Sequence, residues 1–105
     1  MDERKDKIAK QIYSLIARVP QGRLTTYGAI ARVLSISPRL VGYYLHHNPN
    51  PQIYPCHRVV RSDGKIASGF AFGGQAQQTS LLKGEGIKVK RGKVDDLGQY
   101  LIDLS

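Results

Sequence analysis

The four residues Ser35-Ile36-Ser37-Pro38 constrain the fold more than any other stretch, because they stop one short helix and start the next with almost no chain between them. Upstream, Thr25 and Thr26 offer an N-cap. Tyr27, Ile30, Ala31 and Leu34 then recur at helical spacing and predict a short helix with one apolar face. Ser37 offers a second cap, and Pro38 suits the first helical position, where its fixed φ is already helical and its missing N–H has no partner to lose. A helix is therefore predicted from Pro38 to about His47, carrying Arg39, Val41, Tyr44 and Leu45. Two short helices joined by a tight turn match the helix-turn-helix pattern, in which the second helix enters a DNA groove and the first lies across the backbone. A plain helical hairpin burying the same residues would leave the same pattern.

Before this unit, Ile8, Ile12, Leu15, Ile16 and Val19 repeat at helical spacing and predict an amphipathic helix over about residues 3 to 18, ended by Pro20-Gln21-Gly22. After it, Asn48-Pro49-Asn50-Pro51 cannot continue a helix, since each proline pushes its neighbour into extended geometry. Val59 and Val60 read as a short strand turned by Ser62-Asp63-Gly64. Residues 67 to 74 form a loop of small residues able to wrap closely around a ligand, with Phe70 and Phe72 as a lid or as core anchors. Residues 75 to 83 predict a further helix with Ala76, Leu81 and Leu82 turned inward. Residues 87–89 and 93–94 flank Lys90-Arg91-Gly92 as a hairpin, a basic wing. The fold class expected is mainly α with a small β component, and the length supports one domain over residues 1–105.

Sixteen Lys and Arg against eight Asp and Glu give a net charge of +8, which favours a polyanionic partner. Nucleic acid rewards such cations through counterion release, although a solvated lysine face gives the same count. No run is apolar enough for a signal peptide or a membrane span, and a single cysteine cannot form an internal disulfide, so a cytoplasmic or nuclear location without a membrane partner is expected. His46, His47 and His57 with one cysteine lack the spacing of a zinc site, so neither a metal nor a cofactor is expected.

That one cysteine stands in Pro55-Cys56-His57-Arg58-Val59-Val60. Neighbouring cationic or hydrogen-bonding groups lower a thiol's pKa, so Cys56 between His57 and Arg58 reads as a thiolate nucleophile. The competing reading is an inert, buried small hydrophobe.

Pro55-Cys56-His57-Arg58-Val59, preceded by a helix-turn-helix pattern and followed by Leu81-Leu82-Lys83-Gly84-Glu85-Gly86, resembles the O6-alkylguanine-DNA alkyltransferase family, over residues from about 8 to 90 and in its carboxy-terminal domain only. The resemblance implies a winged-helix-like DNA-binding domain that flips the damaged base and transfers its alkyl group irreversibly to the cysteine. It implies Cys56 as alkyl acceptor, His57 as the base acting through a water, and Glu85 as the carboxylate that orients the imidazole. Asn48 is implied as the hinge asparagine, and Arg39 as the finger that fills the gap left by the extruded base, where a plain phosphate contact is the alternative. Tyr27 is implied to rotate the target phosphate and protonate the leaving guanine, with Thr26 beside it as a further DNA contact. The Val59 carbonyl is implied to accept from the exocyclic amine of guanine, Ser68 is the candidate donor to O6, and Arg58 is read as structural.

Gln78 and the tail from Gly86-Ile87 through Val94-Asp95-Asp96 look more like the alkyltransferase-like proteins, short single domains that flag lesions for excision repair and usually lack the cysteine. The readings are therefore a single-turnover methyltransferase, a lesion sensor partnered by excision-repair proteins, or a generic helix-turn-helix regulator. The partner expected is double-stranded DNA containing O6-alkylguanine, bound by a monomer.

Overall fold

The computed structural model describes residues 3–67 and 72–104. Helix α1 (Glu3–Ala17) buries Ile12, Leu15 and Ile16 of the predicted stripe, with Ile8 half-buried and Val19 buried just beyond the helix end. Each such side chain contributes about 1.5–3 kcal/mol on full burial, so this stripe anchors the amino-terminal half. Strand β1 (Thr25–Thr26) leads directly into α2 (Tyr27–Leu34), whose first turn is capped by the Thr26 hydroxyl accepting from the Ala29 N–H at 3.0 Å. Helix α3 (Pro38–His46) is capped in the same way, Ser37 accepting from the Leu40 N–H at 3.1 Å.

Between the two helices, Ser35 takes a left-handed conformation (φ 56°), and the Ile36 N–H returns to the Ala31 carbonyl at 3.0 Å. This satisfies the end of α2 and reverses the chain in the space the sequence allotted. Ile30 and Ala31 of α2 and Val41 and Leu45 of α3 complete one core cluster with α1, Cys56, Val59 and Leu104. Phe72 packs against it, so this phenylalanine is a core anchor; Phe70 lies outside the described residues.

A helical turn over Cys56–Arg58 precedes strand β2 (Val59–Val60), which pairs in parallel with β1, Thr25 opposite Val59 and Thr26 opposite Val60. A second core cluster lies beyond this seam, built from Leu24, Val60, Ile66, Leu82, Ile87, Val89 and Val94. Helix α4 (Gly74–Gly84) packs there, but only in part as expected. Gln78 and Leu82 are its buried residues, whereas Ala76 is exposed and Leu81 is 36% exposed. The stripe follows Gln78 because its amide finds backbone partners inside, which removes the penalty of burying a polar group.

The wing is present as an antiparallel pair, β3 (Val89–Lys90) with β4 (Lys93–Val94). Its turn residues Arg91 and Gly92 both have positive φ (53° and 74°), the backbone that a two-residue hairpin requires. The wing docks on the chain after β2 through the Ile66 N–H to the Gly92 carbonyl at 2.9 Å. The carboxy-terminal segment returns to β1, with Leu24 donating to the Tyr100 carbonyl and accepting from Ile102 at 2.9 and 3.0 Å.

Candidate active site

The turn that carries Cys56, called the reactive turn for the role the resemblance implies, is built from the loop that follows α3. Asn48, buried, accepts from the Asn50 N–H at 2.9 Å through Oδ1, which shapes the Asn-Pro-Asn-Pro turn. Its Nδ2 donates to the Tyr54 carbonyl at 2.7 Å, and the Cys56 N–H donates to the same carbonyl at 2.7 Å. Tyr54 in turn stacks on Tyr13 of α1, ring centroids 5.1 Å apart, and the Tyr13 hydroxyl donates to the Tyr44 carbonyl of α3 at 2.8 Å. The turn that carries Cys56 is thus fastened to α1 and α3.

Cys56 is 4% exposed. Burial pushes its thiol up, and hydrogen bonding from Asn48 and from its own backbone opposes this only in part. The sequence expectation of a thiolate held by His57 and Arg58 is corrected here, because both side chains are drawn to Glu85 instead. His57 Nε2 lies 2.6 Å from Glu85 Oε2. Arg58 donates from Nε to both carboxylate oxygens at 3.0 and 3.1 Å, from Nη2 at 3.0 Å, and from Nη1 to the Val19 carbonyl at 2.9 Å. Arg58 is structural, as its residue type beside such a site suggested.

Glu85 also accepts from the Gly22 N–H at 2.9 Å. Burial alone would raise its carboxyl, but the Arg58 guanidinium, the Gly22 N–H and His57 outweigh it and hold Glu85 below the usual carboxylate range. One side chain at the end of α4 therefore joins the turn after α1 to the residues that follow the cysteine.

A cleft of about 960 Å³ is lined on one side by Tyr27 and Gly28 of α2 and by Arg39 and Gly42 of α3. Arg61, Ser62, Asp63 and Ala67 form the other side. The two walls approach closely at Gly28, where a Cβ would lie 2.7 Å from the Ser62 hydroxyl. Tyr27 is half-buried, and its hydroxyl is pushed up to about 12 by burial and then by the nearby Cys56 charge. Arg39 is exposed on the first turn of α3, at the rim of the cleft. Cys56 is not a wall residue of the cleft; it is buried in the core cluster against which the wall residue Tyr27 packs.

Thr26 is 7% exposed and its hydroxyl caps α2, so the structure gives it a framework position. Val59 is fully buried, and its carbonyl already accepts from Gln78 Nε2 at 3.1 Å. Ser68 lies outside the described residues. Among the described residues, no group of three His, Cys, Asp or Glu could hold a metal, and no helix is long and apolar enough to cross a membrane. The sequence reading missed the structural use of Gln78; a glutamine one helical turn before the inward Leu82 was its available signal.

A capped helix-turn-helix on a mainly helical frame, with a small wing and a cleft at the second helix, defines a DNA-binding domain of the alkyltransferase type. The chain belongs to the family described as 6-O-methylguanine DNA methyltransferase, DNA binding domain, whose model matches residues 7–87. A methylated-DNA–protein-cysteine methyltransferase of Pyrobaculum aerophilum is 44% identical over 81 residues, covering 77% of this chain and 53% of its own. Alkyltransferase-like protein 1 of Schizosaccharomyces pombe is 30% identical over 103 residues, covering 96% and 93%. The solved structure of S. pombe Atl1 with damaged DNA containing O6-carboxymethylguanine superposes with a TM-score of 0.81 at 28% identity, covering 93% of this chain and 96% of that one. Mycobacterium tuberculosis OGT in complex with DNA gives 0.66 at 30% identity, with 74% and 48% covered. The chain thus spans about half the length of the methyltransferases it matches and nearly all of the alkyltransferase-like protein.

Proposed function

We propose that this domain repairs O6-alkylguanine in DNA by moving the alkyl group onto Cys56 in one irreversible step. The observation that carries this reading is Cys56 itself, a buried thiol packed in one core cluster with the cleft residue Tyr27, on a turn fastened by Asn48 and followed at once by the His57–Glu85 pair. Duplex DNA lies across α2 and α3, and Arg39 enters the stack as the damaged base turns out into the cleft.

With Glu85 engaging Nε2, Nδ1 of His57 is the nitrogen that takes the thiol proton through a water. The sulfur attacks the alkyl carbon, an S–C bond forms, and the C–O6 bond breaks with its electron pair going to the guanine. Tyr27 keeps its proton throughout the physiological range, so it serves as a hydrogen-bond donor to the charge developing on the base. The proton released by the thiol neutralises the guanine, and the thioether remains, so one protein molecule repairs one lesion.

The second reading is a lesion sensor that leaves Cys56 unmodified and recruits excision-repair proteins. It draws support from the near full-length match to the S. pombe alkyltransferase-like protein. Incubation with excess O6-methylguanine duplex separates the two. Transfer should stop after one equivalent of guanine is restored, with a single methyl-for-hydrogen mass increase that maps to Cys56. Tight lesion binding with reduced, accessible and unmodified Cys56 would replace the transferase with the sensor, and multiple turnovers would remove both.

A further inference from the structure

Gln78 is fully buried in α4, yet its primary amide leaves no N–H idle. Both donors go to the reactive turn, to the His57 carbonyl at 3.0 Å and the Val59 carbonyl at 3.1 Å. Its Oε1 accepts from the Ala67 N–H at 3.2 Å. The orientation of the amide is fixed by its partners, since backbone carbonyls only accept and a backbone N–H only donates. One side chain therefore links the two residues flanking Arg58 to Ala67, which lines the cleft.

We infer that Gln78 is a positioning residue for base selection: it aims the Val59 carbonyl and fixes the far wall of the cleft, so that the site distinguishes bases by the group they present to that carbonyl. This rests on the proposed reading of the cleft as the place of the flipped base and on the implied role of the Val59 carbonyl as acceptor for its exocyclic amine; Ala67 is a wall residue of the cleft, and Val59 is buried behind it. The physical basis is that a carbonyl has two lone pairs. With one held by Gln78 Nε2, the direction of the other is set before any base arrives, and a pre-aimed acceptor discriminates more sharply than one free to turn. Losing Gln78 leaves two buried carbonyls to find other donors, and their directions change with them.

The test compares equilibrium binding of two duplexes in a Cys56→Ser background, where no transfer intervenes. One carries O6-methylguanine, the other O6-methylhypoxanthine, which lacks the exocyclic amine. The parent should prefer the first. Gln78→Met should reduce that preference by about tenfold, the size of one hydrogen bond, while affinity for undamaged duplex stays unchanged. A merely structural role would weaken both lesions equally and leave the ratio untouched, which overturns the inference; so does a parent without preference.

Should the methionine variant fail to fold, Gln78→Glu keeps the shape and the acceptor for Ala67 while losing at least one donor. A wild-type ratio in that variant also overturns the inference. Failure of the transferase reading is scored separately, on Cys56 modification in the otherwise native protein.

Discussion

Arg58 grips Glu85 with Nε and Nη2, three contacts of 3.0 to 3.1 Å, while its Nη1 holds the Val19 carbonyl just after α1. The carboxylate that faces His57 is therefore also the knot between the first helix, the reactive turn and α4. Under the proposed mechanism structure and chemistry share one side chain here, so variants of Glu85 are expected to affect both.

Glu85→Gln is accordingly expected to cost about 1–3 kcal/mol of stability at neutral pH, since charge-assisted bonds to a mostly buried Arg58 are lost. Because the folded-state pKa of Glu85 is lowered, its stabilisation is present above the unfolded carboxylate value of about 4.3 and lost as pH falls through the folded value. The difference between wild type and variant should shrink towards acid in urea titrations at several pH values. A constant difference would show that the charge of Glu85 contributes nothing.

His57→Ala is the cleaner probe of the relay, because His57 has no share in the Arg58 knot beyond its contact with Glu85. Lesion binding should stay near wild type while single-turnover transfer slows by about 10²–10⁴-fold, the range for a lost general base. Equal rates would remove the relay from the mechanism.

The thiol of Cys56 should titrate above the ordinary value of about 8.5 in the DNA-free protein, because burial outweighs its hydrogen bonds. Its reaction with a neutral alkylating reagent such as iodoacetamide should still be rising at that pH. Asn48→Ala removes a hydrogen bond that lowers the pKa and should move the profile further up. A plateau below pH 8 would contradict the assignment and restore the sequence expectation of a resting thiolate.

Thr25 is fully buried, and its hydroxyl has no hydrogen-bond partner among the described residues. Thr25→Val keeps the shape and the strand pairing with Val59 while removing the unsatisfied group. It should stabilise the domain by about 1 kcal/mol and raise the thermal midpoint by roughly 4–8 °C. A lower midpoint would mean that the hydroxyl is satisfied.

Arg39→Ala should weaken base extrusion more than duplex binding. Removing one phosphate-neutralising cation changes the salt slope by only about 0.9, whereas the gap in the stack would go unfilled. Fluorescence of a reporter base at the target, read beside filter binding at several salt concentrations, separates the two. Unchanged fluorescence and repair rate would demote Arg39 to a phosphate contact.

Where the sequence was read correctly, the interactions are local. Thr26 and Ser37 cap helices through N–H groups three residues on, and Pro38 and the break at Ser35 act within one turn. The α1 stripe follows from a 3.6-residue period, and Arg91-Gly92 marks its hairpin through backbone preference alone. The cysteine motif pointed to the family because its residues are contiguous in the chain.

What the chain order left open was which partner each polar group would choose. The resemblance paired His57 with Glu85 but gave Arg58 no partner; both turn from Cys56 to Glu85, and the carboxylate outcompetes the thiol because it is the stronger acceptor and carries full charge at neutral pH. Ala76 and Leu81 of α4 looked inward by polarity, yet the helix packs on Gln78, since three backbone groups brought there by β2 and the following loop satisfy its amide. A two-residue strand such as Val59–Val60 finds its place beside Thr25 and Thr26 only once two core clusters close around it, because so few ladder bonds cannot offset the ordering of the chain between them.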